Sequence, residues 1–215
     1  MKRTISILLL AAGLVSGSMH AAIPAEVVDV LKKSDAAMTH PDGVGLEIQA
    51  NIKALIISME MNIQTFTKGE KSLMRMTTSI MGEKALALEG CDGVKSWEYS
   101  ALSGEPDTLI IYSKPKEAES EYSPDFDLYD EYEDAKMKLK NGTYEIVFTK
   151  PKKPDTPKKT TMIIDATTYQ ALSMITKEGV ATVNAEFRNL QLGNIDDNIF
   201  VLDRSAYPKA VVIEK

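Results

Sequence analysis

Residues 86–99 read Leu86-Ala-Leu-Glu-Gly-Cys-Asp-Gly-Val-Lys-Ser-Trp-Glu-Tyr99, and this stretch decides the fold. Asp92-Gly93 stands between two runs of alternating character, which is the strongest short-range signal for a β-hairpin. Gly93 can take the positive φ that a tight turn requires. Because side chains alternate along a strand, Trp97 and Tyr99 share one face. Further strands and turns lie on either side, so the sequence predicts one large curled antiparallel sheet.

The strand that begins near Gly45 changes its phase part-way along. Its apolar side chains are first those of alternate residues from Leu46 to Ala54, and then those of Ile57, Met59 and Met61. A shift of phase inside an alternating run requires a turn or a bulge. We therefore expect a turn or bulge at residues 54–56.

Two helices are predicted beside the sheet, which makes the fold class α+β. Residues 25–38 carry valines and a leucine at helical spacing, between acidic and basic residues. The second, mid-chain helix begins at Ser123-Pro124-Asp125, which supplies a capping hydroxyl, a proline at the first position and an acid in the first turn. Residues at steps of three and four extend it to Leu139, before Asn141-Gly142. Its apolar stripe contains Phe126, Tyr129, Tyr132, Ala135 and Leu139.

Residues 1–22 have the pattern of a signal peptide that is removed on export. Lys2 and Arg3 precede the apolar stretch Ile5 to Val15, which is too short to span a membrane, and small residues follow it. No cysteine follows Leu-Ala-Ala-Gly, so the chain is not expected to be a lipoprotein itself. We expect residues 23–215 to form a single domain located in the periplasm.

The composition argues against nucleic-acid binding and against an enzyme. A net charge of −6 and a pI near 5.1 do not suit binding to phosphates. After residue 22 there is one histidine, His40, and the chain has one cysteine, Cys91, so neither a zinc site of ordinary spacing nor an internal disulfide is expected. No phosphate-binding loop or nucleophile elbow is present. We expect no catalytic residues, no metal and no cofactor.

The order of elements and three stretches of sequence resemble the periplasmic outer-membrane lipoprotein carriers of the LolA type. Asp92-Gly93-Val94-Lys95-Ser96-Trp97-Glu98-Tyr99 is similar to a hairpin of that family, Leu139 to Thr149 to its strand after the lid helix, and Ala185 to Leu202 to its closing strands. The chain departs from the family at residues 68–72, Lys-Gly-Glu-Lys-Ser, where the family has a basic-proline segment.

The resemblance implies an incomplete β-barrel whose apolar inside is covered by a helical lid and holds lipoprotein acyl chains in transit to the outer membrane. It also implies two partners, an inner-membrane lipoprotein-release complex and an outer-membrane acceptor, for a protein that is expected to be a monomer. Nine of the eleven methionines follow residue 22, and flexible methionines suit a cavity for variable chains. The expected cavity residues are Met59, Met61, Met74, Met76, Trp97 and Tyr99 on strands, and Phe126, Tyr129 and Tyr132 on the lid.

Two alternatives to a carrier remain open from the sequence. One is a periplasmic regulatory module that senses lipids or lipoproteins on the same fold without carrying them. The other is a structural or interaction protein whose barrel is filled by its own side chains.

Overall fold

A computed structural model of the protein describes residues 23–80, 82–115 and 128–215. Its strands are β1 Val44–Ala54, β2 Ile57–Lys68, β3 Lys71–Ile80, β4 Glu83–Cys91, β5 Ser96–Ala101, β6 Thr108–Tyr112, β7 Tyr132–Lys140, β8 Thr143–Pro151, β9 Lys159–Asp165, β10 Ala171–Glu178, β11 Ala181–Leu192 and β12 Val211–Glu214. The helices are α1 Ala25–Ala37, α2 Leu128–Glu131 and two 3-10 turns, Asp197–Phe200 and Arg204–Ala206.

These twelve strands form one sheet in the order β12-β6-β5-β4-β3-β2-β1-β11-β10-β9-β8-β7, and the outer strands β12 and β7 leave the sheet open. Every neighbouring pair is antiparallel except β12 with β6. The predicted α+β class, a large open antiparallel sheet with an N-terminal and a mid-chain helix, is confirmed.

The hairpin at Asp92-Gly93 is present as predicted. Cys91 pairs with Ser96 at the end of β4 and β5. The Asp92 carboxylate accepts hydrogen bonds from the backbone N–H groups of Val94 and Lys95 at 2.8 and 2.7 Å. Gly93 has φ +89°, the conformation for which glycine is suited. The turn therefore follows from its local chemistry.

The change of phase near residue 55 is also a turn, as predicted. Leu55 and Ile56 connect β1 to β2, and the two strands pair along their whole length from Val44 with Thr67 to Ala54 with Ile57. Leu55 adopts a positive φ of 51° at the tip. The turn shifts the alternation by one residue. The apolar residues of β1 and β2 therefore pair with each other and lie on the same face of the sheet.

Helix α1 packs on one face of the sheet, which we call the helix face. Val27, Val30 and Leu31 are buried there, as the spacing of apolar residues predicts. The backbone N–H of Ala171 donates to the Met38 sulfur at 3.2 Å and fixes the end of the helix. The buried cluster formed in this way, the first core, comprises Val27, Val30, Leu31, Met38, Leu46, Tyr132, Ala135, Ile146, Phe148, Met162, Ile164 and Ala171.

A second core lies on the opposite face of the sheet. The pairing register sets Met74 beside Glu89 on the helix face, so Leu88, one residue before Glu89, points to the other side. Tyr99 pairs with Leu88 and lies on that same side. The C-terminal segment covers this side through Leu202, Tyr207 and Ala210. The second core comprises the buried residues Leu88, Trp97, Tyr99, Leu109 and Ile111. Met74 of β3 is thus buried on the helix face, whereas Leu88 of β4 is buried on the opposite face.

The mid-chain helix is much shorter than predicted. It covers Leu128–Glu131, and the residues that follow, Tyr132–Lys140, form strand β7. The predicted continuation to Leu139 is wrong because Ala135, Met137 and Leu139 also alternate with lysines and pair with Phe148, Ile146 and Tyr144 of β8. Pairing with an apolar strand overrides a helical period over so short a segment. The predicted start at Ser123-Pro124-Asp125 lies outside the described residues.

Candidate functional site

The strands next to α1 carry apolar side chains that are only half-buried. On the helix face, Ile63 pairs with Ile48 on β1 and with Met76 on β3, and Met61 pairs with Ala50 and Thr78. We call this surface the methionine face; it comprises Ile48, Ile52, Met59, Met61, Ile63 and Met76, each of intermediate exposure. An apolar surface on three adjacent strands that is not fully covered can accept an apolar ligand.

The four predicted strand methionines therefore lie on one surface. Met59, Met61 and Met76 are half-buried, and Met74, which pairs with Thr65, is buried. Because a methionine side chain is unbranched and polarisable, it can repack around ligands of different shape.

Trp97 and Tyr99 are not brought together with these methionines. Both are buried in the second core on the other face of the sheet. The ring of Tyr99 lies 4.4 Å from that of Tyr207, and its hydroxyl donates to the Asp107 carboxylate at 3.0 Å. Burial, followed by this contact with Asp107, raises the pKa of Tyr99. These aromatic side chains hold the C-terminal segment to the sheet.

The predicted lid residues have three different placements. Tyr129 lies in α2, half-buried against the first core. Tyr132 is fully buried at the start of β7, where its hydroxyl lies 2.7 Å from the Thr160 hydroxyl and donates to the Pro157 carbonyl at 2.9 Å. Burial raises the pKa of Tyr132. Phe126 lies outside the described residues.

A cavity of about 690 Å³ is lined chiefly by residues whose side chains lie on the side of the sheet opposite the methionine face. Its floor is made of two rows of paired side chains, one across six strands and one across five, and Ala50, Met61, Thr78 and Ala85 also contribute to the lining. One row runs through Ala101, Leu86, Thr77, Asn62, Gln49 and Glu186, and the next through Lys84, Ser79, Glu60, Asn51 and Asn184. We call this space the polar cavity.

Glu47 positions two of the amides in the polar cavity. Its carboxylate accepts hydrogen bonds from the side-chain amides of Asn62 and Gln49, and from that of Asn189 at 2.6 Å. These bonds, with Asn62 first, lower the pKa of Glu47 and keep it charged. Gln49 and Asn62 each use one of their two N–H groups in this way, so one N–H and the oxygen of each amide remain.

Positive and negative charges balance around the polar cavity. Glu186 and Arg188 form an ion pair with each other, and Glu60 and Lys84 line other parts of the wall. Among residues 23–80, 82–115 and 128–215, no group of three or more His, Cys, Asp or Glu side chains could hold a metal ion.

The polar cavity was not predicted from the sequence, although the alternation of β1 contains a signal for it. Glu47, Gln49 and Asn51 are the polar half of the β1 alternation, and such residues are ordinarily read as a solvated face. Their meeting with Asn62, Glu60 and Asn184 depends on the strand order and register, which sequence alternation does not give.

The chain matches no family model and no curated protein. Solved structures match it at low identity. A LolA superfamily protein from Nitrosomonas europaea is 11% identical with a TM-score of 0.34, over 82% of this chain and 97% of that one. The lipoprotein LppX of Mycobacterium tuberculosis is 12% identical with a TM-score of 0.47, over 80% and 99%. A chain of the MucA/MucB complex of Pseudomonas aeruginosa is 12% identical with a TM-score of 0.40, over 82% and 61%. The group that the sequence resembles is thus among the structures it matches.

Proposed function

We propose that the protein binds the acyl chains of lipids or lipoproteins on the methionine face and carries them through the periplasm towards the outer membrane. The observation that carries this proposal is that six apolar side chains on β1, β2 and β3 are only half-buried, while the apolar side chains of Ile146, Phe148, Met162 and Ile164 on the same face of β8 and β9 are fully buried. Exposure of such a surface to water is unfavourable. An acyl chain that covers it is stabilised by about 0.8 kcal/mol for each methylene group that becomes buried.

The chemistry of a carrier suits these residues. Acyl binding requires a dry surface that adapts in shape and can be uncovered again, and it requires no reacting group. Within the described residues, no helix is long and apolar enough to cross a membrane. The partners that the resemblance implies, a release complex and an outer-membrane acceptor, belong to this proposal.

The proposal is tested by binding of a fluorescent fatty acid to the purified protein and to the variant Met61→Asp. A charge on the methionine face should weaken binding at least about tenfold, because an ionised carboxylate is poorly tolerated beside an acyl chain. Thr77→Asp is the matched control, since Thr77 follows Met76 in β3 and lies on the opposite face. Equal binding by Met61→Asp and the parent would place the acyl site elsewhere.

Carrying is tested separately from binding. The protein loaded with the fluorescent fatty acid is mixed with lipid vesicles, and transfer is followed with time. A carrier releases its acyl ligand to the acceptor membrane, whereas a sensing module retains it.

A further inference from the structure

We infer that the polar cavity is a second ligand site, for an uncharged saccharide. The side chains of its two rows lie on the side of the strands opposite the methionine face, although Ala50 and Met61 also contribute to the lining. Its volume of about 690 Å³ is within the ordinary range of small-molecule sites, roughly 300–1,000 Å³.

The lining side chains select a ligand that is polar and carries no net charge. Two acids and two bases line the cavity, and Glu186 with Arg188 already neutralise each other. A phosphate or a metal ion would need charges of a single sign, and an acyl chain would leave the polar side chains of this lining without hydrogen-bond partners. The polar floor instead offers four amides and two hydroxyls, from Gln49, Asn51, Asn62, Asn184, Thr77 and Ser79.

These amides require both donors and acceptors from a ligand. Gln49 and Asn62 each give one of their two N–H groups to Glu47, which leaves the other N–H to donate and the oxygen to accept. Asn184, paired with Asn51 in the centre of the floor, makes no side-chain hydrogen bond to any other described residue. A hydroxyl both donates and accepts, so neighbouring sugar hydroxyls satisfy this pattern.

One end of the cavity supplies an apolar contact. Leu86 pairs with Ala101, and both lie at the border of the second core. A pyranose ring presents C–H groups on one side and hydroxyls around its rim, so it can rest on Leu86 while its hydroxyls reach the amides. An acyl chain would contact Leu86 but would leave the amides without hydrogen-bond partners.

The test is an NMR titration of the ¹⁵N-labelled protein with chitotriose, with maltotriose and with a neutral alanine tripeptide. We expect one of the two saccharides to shift the side-chain amide signals of Gln49 and Asn62. In Asn184→Leu, which removes a central donor and acceptor at similar volume, the affinity should fall about tenfold. Gln64→Leu is the matched control, because Gln64 lies on the same face of β2 outside the cavity.

The possible outcomes separate this site from the acyl site. Loss of saccharide binding in Asn184→Leu, with fatty-acid binding and the melting temperature unchanged, supports the inference. An absence of shifts with both saccharides, shifts with the tripeptide alone, or equal saccharide binding by Asn184→Leu and the parent would overturn it. If Asn184→Leu does not fold, the parent titration decides alone: shifts confined to residues outside the cavity overturn the inference.

Discussion

The indole ring of Trp97 lies directly over the backbone of Gly90, its partner across β4 and β5. A Cβ placed on Gly90 would come within 2.2 Å of the ring atoms Cε2 and Cζ2. Glycine is needed here because of this close approach. We expect Gly90→Ala to lower the free energy of unfolding by about 1–3 kcal/mol, the usual cost of overpacking a core. Urea unfolding measures this difference.

A double-mutant cycle tests the cause of that loss. In the background of Trp97→Leu, the same Gly90→Ala change should cost clearly less, since the ring that the new methyl group meets is gone. An equal cost in both backgrounds would show that the ring is not the reason for glycine.

The ion pairs of Asp197 predict a dependence of stability on acid pH. Hydrogen bonds from Lys68 and Lys71, at 2.8 and 2.6 Å, lower the pKa of Asp197 to about 2. A carboxylate with a lowered folded pKa contributes stability above its unfolded pKa, about 3.9, and this contribution is lost as the pH falls through the folded value. The parent should therefore lose more stability than Asp197→Asn between about pH 4 and about pH 2.

Urea midpoints across that range check the acid prediction. Asp155→Asn is the control, because Asp155 is exposed in the β8–β9 loop and forms no ion pair with the described residues. Its difference from the parent should not change with pH. Parallel pH profiles for the parent and Asp197→Asn would contradict the role given to the two lysines.

Leu31 packs helix α1 against the other residues of the first core. It is 1% exposed, and its truncation leaves a cavity that surrounding side chains fill only in part. Leu31→Ala should cost about 2–5 kcal/mol in the free energy of unfolding. Leu139→Ala, at a leucine that is 65% exposed on β7, should change it by less than about 0.5 kcal/mol. Similar losses in the two variants would mean that α1 does not depend on this contact.

The hydroxyl of Tyr132 bonds the Pro157 carbonyl and the buried Thr160 hydroxyl. Tyr132→Phe removes the partner of the Pro157 carbonyl and one partner of the Thr160 hydroxyl, so it should cost about 1–3 kcal/mol. Thermal and urea unfolding measure the loss. Tyr112→Phe is the control, since the Tyr112 hydroxyl bonds a carboxylate, that of Glu98, on a half-buried surface, and a smaller effect is expected.

Local chemistry was sufficient to predict the elements that depend on neighbours in sequence. The Asp92-Gly93 turn, the turn at Leu55-Ile56 and helix α1 all follow from short patterns. The strand at 132–140 could not be predicted in this way, because its apolar residues fit both a helical and a strand period, and the choice is made by β8.

The site was only partly predictable for a related reason. Alternation shows that Met74 and Met76 share a side of β3, and that Trp97 and Tyr99 share a side of β5. It does not show that these two sides are opposite, since this depends on the register of the intervening strand β4. The polar cavity depends on six strands in register and was beyond any short pattern.

Because the two cores lie on opposite faces, we expect the two ends of the sheet to open separately. Strands β4–β6 and the C-terminal segment are held by the second core, whereas α1 and strands β7–β10 are held by the first. Between them, the described residues of β2 and β3 contribute to neither core, so we expect amide protons on either side to exchange with solvent through separate opening events. One half of the sheet can loosen around a ligand while the other half keeps its fold.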